Sequence, residues 1–134
     1  MGTLWQEIYK KTEEYRKAGV PSYECGKKAV LHMTRAQAIS ALAEAIEAVK
    51  EYSADVRAIL GSKRDPECNA QIALYNKNIL RYQKELKLYN EITDEKFRSI
   101  FPTLLFRDIA SDLHSMELAC FTLVTRGPRY NPPR

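Results

Sequence analysis

Two histidines and three cysteines are the side chains of this sequence best suited to nucleophilic or metal chemistry: Cys25, His32, Cys68, His114 and Cys120. Cys25 stands near Lys27, Lys28 and His32, whose positive charge would favour a thiolate. A nucleophile also needs a base within hydrogen-bond reach and a group that orients that base, and no sequence neighbour supplies either. Cys68 falls in the first turn of an expected helix, where a thiol ionises more readily, again with no base in view. His114 and Glu117 are three apart on one helix face, with Asp108 and Asp112 a turn or two earlier. A di-iron bundle needs Glu-x-x-His from two helices and two further carboxylates, which a chain with two histidines does not provide. A structural zinc needs four convergent ligands, and Cys25 with His32 offers two at an unusual spacing. Phosphate-binding G-x-x-x-x-G-K-[ST], dinucleotide G-x-G-x-x-G, G-x-S-x-G and H-E-x-x-H patterns are all absent. The expectation is a protein without catalytic residues, metal or cofactor; a thiol enzyme centred on Cys25 is the last-ranked alternative.

Charge offers more than catalysis does. Lys77, Arg81, Lys84 and Lys87 form a basic row on one side of an expected third helix, and Leu74, Leu80 and Leu88 lie among them, off that helix's apolar seam. A helix with apolar residues on two faces touches two neighbours or presents one face to another chain. Arg126, Arg129 and Arg134 extend the basic character into the terminal segment TRGPRYNPPR. An expected second helix carries the opposite row, Glu44, Glu47, Glu51 and Asp55. Opposed rows in one small chain suggest association between copies or with a protein partner. The same cations could instead grip phosphates, which makes nucleic acid the competing partner. A third reading is two ordinary solvated faces.

Tyr75, Tyr82 and Tyr89 recur every seven residues on the seam of the basic helix. As a nucleic-acid platform the rings would need cations between them on the same face, and the cations fall on the opposite side. The tyrosines are therefore read as packing residues at the rim of a core, each with its hydroxyl near water.

The elements that must position these residues follow from periodicity and caps. A first helix runs over about 3–18, closed by Gly19 and Pro21. In the segment 22–33, Gly26 either turns a short hairpin or interrupts one irregular helix, and Cys25-Gly26-Lys27 before an apolar run favours the hairpin. The box Thr34-x-x-Gln37 starts a second helix, whose seam Ile39, Leu42, Ile46, Val49, Ser53, Val56 and Leu60 ends at Gly61, with flanking alanines suited to close packing. Asp65-Pro66-Glu67 opens the third helix. Thr93 caps a fourth, broken by Pro102 and continuing to about Val124 as the most apolar helix, placed at the centre. The result is an all-α, compact four-helix bundle over 1–125, with short loops and an extended basic tail over 126–134.

Composition agrees. The 134 residues include 45% hydrophobic and 28% charged, a globular balance, and the formal charge of +4 is a mild excess. Cysteine spacing fits no disulfide framework, the start lacks a signal peptide's apolar run, and no stretch approaches a membrane span. The expectation is a cytoplasmic helical accessory, adaptor or inhibitory factor that binds a protein, itself included, and not a membrane.

Overall fold

The computed structural model describes residues 3–128 and, among them, six α-helices and no strand. They are α1 (Thr3–Lys17), α2 (Ser22–Val30), α3 (Arg35–Leu60), α4 (Pro66–Glu91), α5 (Asp94–Ile100) and α6 (Leu104–Arg126). The chain is all-helical, and the expected count of four helices becomes six through the short α2 and α5.

Local chemistry sets most of the boundaries. Thr34 and Gln37 form a reciprocal capping box, Thr34 Oγ1 accepting from Gln37 N at 3.2 Å and Gln37 Oε1 accepting from Thr34 N at 2.9 Å. Asp65 accepts from Glu67 N and Cys68 N ahead of Pro66, the first residue of α4. Thr93 caps α5 and Thr103 caps α6, one on each side of the break at Pro102. Gly19 takes φ +88°, the left-handed conformation that ends α1 cheaply.

Of the two readings of 22–33, the favoured hairpin is not what forms: Ser22–Val30 is a helix. Gly26 is there for proximity. A Cβ on it would lie 2.2 Å from the Arg107 carbonyl oxygen, so a glycine lets α2 touch the backbone of α6.

α4 runs antiparallel to both α3 and α6. Against α3, Arg35 reaches the Tyr89 carbonyl and Tyr52 lies beside Tyr75. Against α6, Tyr75 meets Met116, Tyr89 meets Thr103, and Asp65 meets Arg126. α1 and α2 pack on one another and on the first half of α6, through Trp5 on Phe106, Tyr9 on His114, and Gly26 on Arg107. One apolar cluster draws on all six helices. Its largest fully buried side chains include Trp5, Tyr75, Tyr82, Tyr89, Phe97 and Phe106, and Trp5 Nε1 donates to the Ala41 carbonyl at 2.8 Å.

Candidate functional site

The two sides of α4 differ in character. On the inner side Tyr75, Tyr82 and Tyr89 are fully buried, while the aliphatics between them, Ile79 and Leu86, are only partly so. The tyrosines therefore form the middle of the seam and not its rim. Protein groups replace water at two of the hydroxyls: Tyr75 donates to the Met116 carbonyl at 3.1 Å, and Tyr89 lies 3.2 Å from Thr103 Oγ1. The Thr103 proton points to Glu85 at 2.6 Å, which leaves Tyr89 as the donor of the other bond. Tyr82 Oη has no hydrogen-bond partner among the described residues. Burial pushes the Tyr75 phenol up to about 12 and drives Tyr82 and Tyr89 well above the usual tyrosine range. All three stay neutral phenols across physiological pH and face away from any ligand on the outer surface.

The outer side of α4 carries leucines and cations together. Leu80 is 66% exposed and Leu74 and Leu88 40% each, with Lys77, Arg81, Lys84 and Lys87 exposed beside them. Lys87 has Glu91 at 4.0 Å as a weak partner, and Arg81 donates to Asn78 on its own helix at 3.1 Å. Lys77 and Lys84 make no ion pair among the described residues. A shallow cavity of about 380 Å³ runs along this side, lined by Arg81, Lys84, Glu85, Leu88 and Leu105.

The acidic row of α3 is also at the surface: Glu47, Glu51 and Asp55 are exposed and Glu44 is half-buried. Among the described residues Glu47 alone of the row has a counter-ion, Lys50 at 3.6 Å. The alanines of α3 divide between two roles. Ala38, Ala41, Ala45 and Ala48 are buried as expected of close packing, whereas Ala36 and Ala43 are exposed, with Ser40, Ala54 and Ala58 on the same outer side.

Arg126, one of the residues expected to meet a partner, is tied into the scaffold. It is the last residue of α6 rather than the first of an extended tail, and its guanidinium binds Asp65 at 2.9 Å and Glu67 at 2.8 Å. A cation with two carboxylates around it has little left for a phosphate or a partner. Arg129 and Arg134 lie outside the described residues.

The reactive side chains of the sequence are not gathered. Cys25 is fully buried, its Sγ on the Val20 and Pro21 carbonyls at 3.3 and 3.4 Å, while His32 is exposed. Cys68 and Cys120 are buried, and that burial pushes both thiols up, away from the thiolate. His114 stacks on Tyr9 with centroids 4.0 Å apart, and Glu117 accepts from the Tyr52 hydroxyl at 3.1 Å. Among the described residues no three His, Cys, Asp or Glu side chains come together as metal ligands. A cleft of about 370 Å³ beside the start of α3 brings His32, Arg35, Asp94 and Arg98 together, but Arg35 and Asp94 are already joined at 2.6 Å. No described helix is long and apolar enough to cross a membrane.

One surface was missed in the sequence. Leu118, Phe121 and Val124 of α6 are 53%, 70% and 40% exposed, and Leu104 is 75% exposed, although α6 reads as a central helix throughout. Residues 118–125 hold no charged side chain, which is a signal in itself. The cover that α1 and α2 give to Phe106, Arg107 and His114 does not reach Phe121. No protein family, no curated protein and no solved structure matches the chain.

Proposed function

We propose that the protein works without catalysis, as a helical accessory, adaptor or inhibitory factor that binds another protein through the outer face of α4. The observation that carries this reading is Leu80, two-thirds exposed amid Lys77, Arg81 and Lys84. A leucine in water costs free energy that burial against a partner recovers, at roughly 25 cal/mol per Å² of apolar area. Cations around it are the usual rim of such a contact, setting partner choice and association rate. The uncharged exposed stretch at Leu118, Phe121 and Val124 is a second candidate contact. Three free, buried cysteines suit a reducing, cytoplasmic setting.

The test is a comparison of wild type with Leu80→Glu as bait for proteins in an extract of the native cell, with circular dichroism as the control for folding. Position 80 is at the surface, so the variant should fold normally and lose its partner. Equal recovery by both baits contradicts the reading.

A second reading rests on the same four cations. A sequence-independent nucleic-acid grip by Lys77, Arg81, Lys84 and Lys87 would lack stacking rings, since the α4 tyrosines are buried, and would depend on phosphate contacts alone. It requires affinity for DNA or RNA that falls steeply with salt, the slope dropping by about one for each contacting cation removed.

A further inference from the structure

We propose that the partner of the α4 face is a second copy of this chain, joined by a twofold contact in which α4 of each protomer lies on α3 of the other. The inference rests on the docking reading of α4 and names its occupant.

The two helices are opposite in shape as well as in charge. α4 offers protruding leucines and cations, whereas the outer side of α3 offers small residues, Ala36, Ser40, Ala43 and Ala54, edged by Glu44, Glu47 and Glu51. Large side chains on one helix and small ones on the other let the two backbones come close, as knobs enter holes. Arg81 also stands close enough to Asp112 of α6 to interact with its carboxylate, and beyond that Lys50 on Glu47 and Glu91 on Lys87 are the ion pairs the rows make among the described residues.

Register supports the match. The contacts Arg35 to Tyr89 and Tyr52 to Tyr75 fix which residues of the antiparallel α3 and α4 lie at one height. Leu80 is thereby level with the turn of Ala43 and Glu47, Leu88 with Ala36 and Ser40, and Leu74 with Glu51 and Ala54. Arg81 is level with Glu44, and Lys77 with Glu47 and Glu51. A twofold axis parallel to the helices keeps every residue at its height while exchanging the helices. Each leucine then meets small residues and each of these cations meets an acid, twice over. The contact is isologous and closes at two copies. No other surface of the chain needs to be invoked.

The experiment is sedimentation equilibrium on three full-length proteins at about 200 μM, well above the micromolar range expected of a small interface. They are wild type; the α4 reversal Lys77→Glu, Arg81→Glu and Lys84→Glu; and the α3 reversal Glu44→Lys, Glu47→Lys and Glu51→Lys. Wild type should be a dimer that salt weakens, each reversal alone a monomer, and their equimolar mixture a dimer again, because reversed α4 then faces reversed α3 and the native rows face one another. A monomeric wild type, a reversal that stays dimeric or a mixture that stays monomeric overturns the proposal. If a triple variant loses its helical circular dichroism, the single pair Arg81→Glu and Glu44→Arg is mixed in the same way with the same two outcomes. The two readings fail separately. A monomeric wild type whose position 80 still captures a different protein removes the second copy and leaves α4 a docking face, whereas monomeric behaviour with no Leu80-dependent capture removes both.

Discussion

At the scale of single residues, the structure turns on atoms whose partners come from far along the chain. Gly26 is the sharpest case, because the backbone of α6 occupies the space any side chain would need. Gly26→Ala should cost about 1–3 kcal/mol, as overpacking does in a well-filled core, measured by urea denaturation. No change in its midpoint would mean that α2 does not sit against Arg107. The tyrosines give a contrasting pair. Tyr75→Phe loses the bond to Met116 and should cost about 1 kcal/mol, whereas Tyr82→Phe removes a buried hydroxyl that has no partner among the described residues and should be neutral or stabilising. Equal losses at the two positions would contradict the assignment of Tyr82. Asp112 supplies a pH prediction. Burial first, and the neighbouring Asp108 carboxylate second, hold its carboxyl above the ordinary range. A raised carboxyl favours the folded state while protonated and loses that contribution as pH rises through its unfolded and then its folded pKa. Asp112→Asn should therefore raise the urea midpoint at neutral pH, and the gain should fade as the solution is acidified. A gain that grew on acidification would reverse the sign and refute the assignment. These contacts could not be read from the sequence, because spacing does not say which distant carbonyl or carboxylate stands opposite a side chain.

At the scale of elements, legibility followed locality. The Thr34 box, the Asp65-Pro66 start, the Thr93 cap and the Pro102 break are all set within four or five residues, and each stands in the structure where the sequence places it. Over 22–33 the sequence favours a hairpin over an irregular helix, since Gly26 mimics a turn signal when its real neighbour, α6, lies far off in sequence. The ends of α4 and α6 are joined through Asp65, which caps one helix and pairs with Arg126 of the other. Asp65→Ala should cost about 1 kcal/mol from the cap alone. It should also loosen the end of α6, visible as faster amide exchange around Leu123 and Arg126. Unchanged exchange there would show that the Arg126 contact does not hold α6. Arg126 reads as tail because TRGPRYNPPR is basic and proline-rich, and that composition does not show what the last helical residue grips.

At the scale of the whole molecule, the sequence conveyed the class and the charge pattern but not which apolar residues stay wet. Periodicity showed that α4 has leucines off its seam, and these are exposed. It could not show that Leu104 and Phe121 would be, since that depends on how far α1 and α2 extend over α6. The outer face of α4, where leucine and lysine share one exposed surface, is, like the exposed apolar stretch of α6, a surface that internal packing among the described residues does not use. The proposal that it binds a protein is tested most directly by site-specific photo-crosslinking, with a photoreactive residue placed at position 80 on α4 or at position 14 on α1. Both positions are exposed and have charged neighbours, and Glu14 lies on a face with no leucine cluster. The account predicts discrete protein adducts from position 80, with this chain itself among them, and only diffuse background from position 14. Adducts that are equal at the two positions, or none at position 80, would contradict it.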